Sequence, residues 1–307
     1  MRILFLGAGA LGGYFGGRMT AGGADVTMLV RPARREALSS GLRIESPLGD
    51  AVVHVRTIVG GEQDGLFDVI MLTNKAYGLA PALDTIAPYI GESTVIVPVL
   101  NGLAHYAAIE ARLPGVPVMG GVAHIPAELR PDGTVFHRGR LQRLTIGLRS
   151  GQEAHRGTAE GLIDAIAAGG IEAKLSDTIE QDLWDKWVFL AALAAGTCLM
   201  RGDVGEICRT QYGIAFMRAA IAECMAVATA AGQAPSAAQQ AFYFDQLTTP
   251  EGAFKASMLV DMEAGNPTEA DHILGDMIGR AAAHGLATPL LEAAFTRLQV
   301  YEASRSA

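Results

Sequence analysis

Five short apolar runs punctuate the first half of the chain: Arg2–Leu6, Val26–Val30, Asp68–Thr73, Thr94–Val99 and Val116–Val122. Each is rich in branched side chains and ends in glycine or polar residues, a pattern that predicts parallel strands buried on both faces. Segments with helical spacing fit between several of them, beginning with Leu11–Ala21, and this alternation predicts a doubly wound α/β sheet. Leu42–Ser46 and Ala51–Arg56, joined by Pro47-Leu48-Gly49-Asp50, predict a hairpin inserted after the second strand, and Gly133–His137 with Leu141–Leu148 predicts a second antiparallel addition. From about Ser176 the spacing is helical throughout: Thr178–Met200, Ile207–Ala231, Ala237–Leu247, Phe254–Glu263, Thr268–His284 and Pro289–Ser304. The expected architecture is an N-terminal doubly wound parallel sheet domain, residues 1–176, followed by a C-terminal all-helical domain, residues 177–307.

Composition adds limits. A chain of 307 residues exceeds the ~250 that one core usually serves, which agrees with two domains. A net charge of −8 argues against a nucleic-acid partner, although a local group such as Arg31, Arg34 and Arg35 suffices for one phosphate. The longest apolar stretch, Trp187–Met200, falls short of the ~20 residues that span a bilayer, so it reads as a buried core helix and no membrane partner is expected. The opening apolar run is too short for a signal peptide. Cys198, Cys208 and Cys224 lack metal-ligand spacing and read as reduced thiols of a cytoplasmic protein.

Gly7-Ala8-Gly9-Ala10-Leu11-Gly12 lies where the first strand passes into the first helix. There the first glycine permits a tight turn and the second lets the backbone approach a pyrophosphate. The third lets helix and strand pack closely, while the helix N-terminus offers N–H donors. Small glycine runs also occur as plain turns; the strand–turn–helix setting is what favours a Rossmann-type dinucleotide site. The second strand ends Thr27-Met28-Leu29-Val30-Arg31, in a cation rather than the carboxylate that holds the ribose of NAD, and this predicts NADP(H).

Further candidates carry competing readings. Lys75 and Asn101 follow successive strands at their carboxyl ends, where open parallel sheets bind ligands. Singly, a lysine near a helix start is more often solvated and an Asn-Gly pair more often a plain turn; the two together make the stronger case. Lys186 shares a helical stripe with Leu183, Leu190 and Ala194 where charge vanishes until Arg201; it is either a snorkelling lysine or a proton donor facing a dry pocket. Glu269, in Gly265-Asn266-Pro267-Thr268-Glu269, has the spacing of a capping-box partner to Asn266, and spacing alone favours that structural role. Ser257 has no separate signal.

Taken together, GAGALG, the Arg31 strand end, Asn-Lys-Ala at Lys75, Leu-Asn-Gly at Asn101, Leu-Trp-Asp-Lys at Lys186, and Ser-Met-Leu-Val-Asp…Gly-Asn-Pro-Thr-Glu from Ser257 to Glu269 resemble the ketopantoate reductase (2-dehydropantoate 2-reductase) family over nearly the whole chain. The resemblance implies NADPH-dependent reduction of a small 2-keto acid, with two domains enclosing the site and a homodimer formed through the helical domain. Lys186 would protonate the carbonyl oxygen, Asn101 would hydrogen-bond near the carbonyl or nicotinamide, and Ser257 would hold the substrate carboxylate. Glu269 would contact cofactor or substrate hydroxyls and orient Lys186. Gly7, Ala8, Gly9, Ala10, Leu11, Gly12, Arg31 and Lys75 would bind the dinucleotide. One departure stands out. The family places asparagines one and two turns after the lysine, where this chain has Leu190 and Ala194, with Arg201 a candidate to replace them. A more apolar 2-keto acid, or an NADPH-binding sensor without catalysis, therefore remain alternatives to ketopantoate.

Overall fold

The computed structural model describes residues 1–305, so the last two positions of the expected second domain, 306–307, lie outside the described residues. The chain forms two compact units, Met1–Leu100 with His105–Ile179, and Glu180–Ala307 with the short excursion Asn101–Ala104.

The first unit is built on a parallel sheet of β1 (Arg2–Leu6), β2 (Asp25–Leu29), β5 (Arg56–Ile58), β6 (Phe67–Leu72) and β7 (Ile90–Pro98), in the order β5-β2-β1-β6-β7. Ile3, Leu4 and Phe5 of β1 and Val69, Ile70, Met71 and Leu72 of β6 are fully buried. Their alternating side chains point to both faces, which is why the sequence shows continuous apolar runs there. Helix Ala10–Ala21 sits unusually close to its neighbours because it presents glycine to them. A Cβ on Gly16 would lie 2.9 Å from the Met28 methyl, and one on Gly17 would lie 2.8 Å from Leu42 and 2.9 Å from Ile44.

Two smaller sheets complete the unit. The expected hairpin exists as β3 (Leu42–Glu45) and β4 (Ala51–Val53), in a sheet of order β4-β3-β10-β9 with β9 (Ala127–Leu129) and β10 (Val135–His137). The third sheet has the order β12-β11-β8, from β8 (Gly120–His124), β11 (Arg143–Gly147) and β12 (Glu172–Ser176).

This arrangement corrects three expectations. Gly133–His137 and Leu141–Leu148 do not pair: β10 bonds to β3 and β9, whereas β11 bonds to β8 and β12. His137 is fully buried, with its ring nitrogens held by Ser46 Oγ and the Leu141 carbonyl, so the chain turns away between the two strands rather than folding back as a hairpin. Val116–Val122 is not a fifth parallel strand either. A single parallel bridge joins Ile96 to Val118, after which the chain enters β8, antiparallel to β11. The predicted strand Ala51–Arg56 is likewise two strands in different sheets, β4 and β5.

The second unit consists of helices. Ile179–Met200, which opens it, and Gly213–Ala230 are long and apolar enough to cross a bilayer by composition; the first is mostly buried inside the protein. The expected helix Ile207–Ala231 is instead two. Val204–Cys208 starts on a capping box, in which Asp203 accepts from the Glu206 N–H and Glu206 accepts from the Asp203 N–H, and a turn at Thr210 precedes Gly213–Ala230. Helices Ala237–Leu247, Ser257–Glu263, Asp276–Ala283 and Pro289–Arg305 follow.

The glycine face of the first helix has a measurable consequence. Gly17→Leu should destabilise the protein by about 1–3 kcal/mol despite its better helix propensity, because Leu42 and Ile44 leave no room. A urea midpoint equal to or above wild type would refute this tight seating.

Candidate active site

In the first unit, Gly7 takes φ +93°, a region open mainly to glycine, and its N–H donates to the Leu29 carbonyl at 2.9 Å, closing the turn against β2. Gly9 precedes the helix, with no side-chain cap and open space where its Cβ would stand. Gly12 is the opposite case. A Cβ there would lie 2.2 Å from the Gly7 carbonyl oxygen and 2.4 Å from Thr73 Oγ1. Thr73, just beyond β6, donates its hydroxyl to the Leu6 carbonyl at 3.0 Å and so ties that strand to the turn. Ala8 and Gly12 are buried, while Gly7, Gly9, Ala10 and Leu11 are half-buried, and no acidic side chain stands in the first helical turn. An uncapped, acid-free helix start behind an open glycine cradle fits a dinucleotide pyrophosphate. Arg31 is exposed at the start of helix Pro32–Ala37, and Lys75 is exposed after β6, on the carboxyl edge shared with β1.

In the second unit, Lys186 lies in helix Ile179–Met200 and is half-buried. Burial pushes its ammonium down from the usual lysine value to about 8, and the Glu269 carboxylate opposes that fall. Glu269 is only 5% exposed.

The sequence spacing misassigned Glu269 as a capping-box residue. The regular turns begin at Ala270 and open with the wide turn of a π-helix, Asp271–Gly275; Glu269 precedes them. The Asn266 N–H, which a capping box would give to the Glu269 carboxylate, donates instead to the Asp261 carbonyl at 2.8 Å, and the Thr268 N–H and hydroxyl donate to Glu302 Oε1 at 2.6 and 2.8 Å. The π-turn also leaves the Ile273 carbonyl to accept from Trp187 Nε1 at 3.1 Å. That bond fixes the residue next to Lys186 against the segment that carries Glu269. π-Turns of this kind recur at functional sites.

Asn101, half-buried, belongs to this second unit. Its backbone carbonyl accepts a hydrogen bond from the His272 ring. Gly102 has φ +78° and leaves space that a Cβ could not share: it would stand 2.9 Å from the His272 carbonyl oxygen and 3.0 Å from its Cδ2. Burial lowers the pKa of His272, while Glu269, Asp276 and the bond to Asn101 raise it. Lys186, Glu269, His272 and Asn101 thus form a continuous series of interactions. His272 was missed in the sequence; its signal was its place three residues after Glu269, nearly one helical turn on.

Other expected residues stand apart. Leu190 is half-buried and Ala194 buried, one and two turns beyond Lys186, and neither carries a hydrogen-bonding group. Ser257 opens helix Ser257–Glu263 and is exposed. Arg201 does not replace the missing amides. It follows the last turn of the lysine's helix, about 20 Å along the axis at 1.5 Å per residue, with φ +56° and an exposed side chain.

The pair gives a direct prediction. Competitive labelling of amines across pH should find the Lys186 group titrating near pH 8. In Glu269→Gln the titration should move to lower pH, since the carboxylate that favours the ammonium is gone. An unchanged or higher value would show that the two groups do not communicate.

Comparison with known proteins agrees with this geometry. Residues 3–151 match the family model described as Ketopantoate reductase PanE/ApbA, and residues 178–302 match its C-terminal counterpart. The Bacillus subtilis protein named Uncharacterized oxidoreductase YkpB is 36% identical over 306 residues, covering 99% of this chain and 100% of its own. The crystal structure of 2-dehydropantoate 2-reductase from Methylococcus capsulatus is similar with a TM-score of 0.87 at 27% identity, covering 100% of this chain and 98% of that one. D-Mandelate dehydrogenase, solved with NADH and anilino(oxo)acetate, shares the fold with a TM-score of 0.88 at 23% identity, over the full length of both chains.

Proposed function

The chain belongs to the ketopantoate reductase family, and from that premise we propose that it reduces 2-dehydropantoate to pantoate with NADPH, using Lys186 as the general acid. It is an oxidoreductase acting on the CH–OH group, with Rossmann-type NAD(P) binding and a small keto-acid substrate. The observation that carries the finer reading is the Lys186 ammonium, tuned by burial to about 8 and accompanied by Glu269. An acid of that strength is mostly protonated at neutral pH yet gives up its proton more readily than an exposed lysine.

When bound, a reduced nicotinamide would supply the hydride. Lys186 gives up an N–H proton to the carbonyl oxygen as hydride reaches the carbon, so that the C=O π bond gives way to a C–H and an O–H bond on a C–O single bond and the lysine is left neutral. Glu269 keeps the ammonium charged and directed. The Asn101 side chain, with its backbone held by His272, is available to hydrogen-bond the substrate carbonyl. Ser257 offers a hydroxyl to the substrate carboxylate. The dinucleotide is held by Gly7 to Gly12, with Lys75 and Arg31 nearby, and Arg31 directs the choice toward NADPH; the shared fold does not make that choice, since D-mandelate dehydrogenase was solved with NADH. We assign residues 1–176 to the cofactor and 177–307 to the substrate and to a homodimer contact, and the protein to the cytoplasm.

A second reading rests on a specific observation. Leu190 and Ala194 stand where the resemblance expects amides, which favours a more apolar 2-keto acid. A sensor without catalysis is disfavoured, because it has no use for a lysine held near neutrality beside a buried carboxylate.

Initial rates with ketopantoate and a set of branched and aryl 2-keto acids, each with NADPH and NADH, test these readings together. Ketopantoate with NADPH should give the highest kcat/KM, and Lys186→Ala should lower turnover by about 10²–10⁴-fold. No turnover at millimolar ketopantoate would reject that substrate, and a preferred apolar acid would establish the second reading. An unimpaired Lys186→Ala variant would remove the lysine from the chemistry.

A further inference from the structure

The three arginines after β2 look equivalent in sequence, but the structure separates them. Arg35 is spent on an ion pair with Glu62 and a 3.0 Å bond to the Thr57 carbonyl. Arg31 is exposed. Arg34 is half-buried and turns back over the glycine turn: its Nε donates to the Ala8 carbonyl at 3.0 Å, and Nη1 and Nη2 donate to the Gly133 carbonyl at 3.2 and 3.3 Å. Gly133, at φ +85°, has its bare Cα against the guanidinium, since a Cβ would stand 2.9 Å from Nη1.

Among the described residues this cation has no counter-ion. Arg2, Arg35, Arg56, Arg130 and Arg143 each reach a carboxylate within their own unit. Arg34 touches only carbonyl oxygens among the described residues, and its burial is opposed by no nearby acid. The neighbouring acid, Asp132, is committed to the Thr134 N–H and hydroxyl. A guanidinium has five N–H donors, and the carbonyl bonds of Arg34 occupy three, leaving two for another acceptor. A partly desolvated, unpaired charge is costly, and an anion that binds there recovers the cost.

We propose that Arg34 is a cofactor-selecting residue, which clasps the 2′-phosphate of NADP(H) together with Arg31. Its place supports that phosphate rather than the pyrophosphate. In dinucleotide-binding sheets the adenosine ribose lies past the end of the second strand, whereas the pyrophosphate lies on the N–H groups of the first helix. Arg34 lies in the short helix Pro32–Ala37 that follows β2 and is anchored on Ala8, ahead of the helix that begins at Ala10. Its bonds to Ala8 and Gly133 fix the guanidinium plane beforehand, so little side-chain freedom is left to lose on binding.

The inference rests on the NADPH reading above, and one set of binding measurements separates the two. Dissociation constants for NADPH, NADH, 2′,5′-ADP and 5′-AMP are measured by calorimetry or quenching of protein fluorescence, for wild type, Arg34→Gln and Arg34→Ala. Gln can still donate to a backbone carbonyl but carries no charge, so it guards against a collapsed turn. Wild type should prefer NADPH to NADH and 2′,5′-ADP to 5′-AMP. Both variants should lose about 10–100-fold for NADPH and 2′,5′-ADP while holding NADH and 5′-AMP nearly unchanged. Equal weakening of all four ligands, or no weakening, would overturn the assignment of Arg34 and leave NADPH preference standing. A wild-type protein indifferent to the 2′-phosphate would overturn both.

Discussion

A partly desolvated ammonium held beside a buried carboxylate is the constraint on which the helical unit turns. Burial alone would drive Lys186 toward its neutral form, in which it has no proton to give. A fully exposed partner would screen the charge and leave an ordinary lysine. Glu269 sets the balance between these limits, with the ammonium near 8, so that roughly nine in ten lysines remain charged at pH 7. Much of the surrounding structure serves that spacing. Trp187 bonds to the π-turn at Ile273, Glu302 takes over the capping of Thr268, and Arg280 lies over the rings of Trp184 and Trp187, 5.5 and 5.3 Å from their centroids. Tyr243 donates to Asp185, the acid just before the lysine, so Asp185 has its own partner and Glu269 is the carboxylate that acts on Lys186.

The first unit solves its problem by omission rather than by pairing. At Gly12 the forbidden atom is any Cβ, because the helix must pass within contact of the Gly7 carbonyl. At Gly7 the requirement is conformational. The same helix then uses Gly16 and Gly17 to settle against Met28 and Leu42. One glycine-rich stretch therefore both shapes the cofactor cradle and seats the helix behind it, and its substitution tolerance is set by backbone approach, not by loss of a contact.

How much of this was legible in the sequence follows from the range of each interaction. The parallel strands β1, β2, β6 and β7 were readable because burial on both faces leaves a continuous apolar run. The pairing of β10 and β11 was not, because each partners a strand distant in sequence, and proximity along the chain suggested a hairpin that the buried His137 prevents. The glycine turn was legible as a local motif. Arg34 was legible only as one of three equivalent cations, since its carbonyl partners at Ala8 and Gly133 are long-range. Glu269 was misread for a local reason: spacing favoured a cap, but the Asn266 N–H that such a cap needs goes to the Asp261 carbonyl of the preceding helix. His272 carried only its spacing from Glu269 as a signal, and its bond to the Asn101 carbonyl is long-range.

The helix carrying Lys186 also constrains what the enzyme can accept. Leu190 and Ala194 follow the lysine on its own face and offer no hydrogen bond. Arg201 is too far along the axis to compensate. A substrate hydroxyl buried against these two residues would surrender its water without gaining a partner, a loss of about 1–3 kcal/mol. A methyl or aryl group in the same place would gain by its own burial. The proposed proton-donating end of the stripe and its apolar continuation would thus act on different parts of one molecule. In the proposed mechanism Lys186 and Glu269 would select for a carbonyl that can take a proton, while Leu190 and Ala194 would penalise polarity further from it. Under that proposal, reaction type and substrate range would be set by separate turns of a single helix, so the second could change while the first is kept.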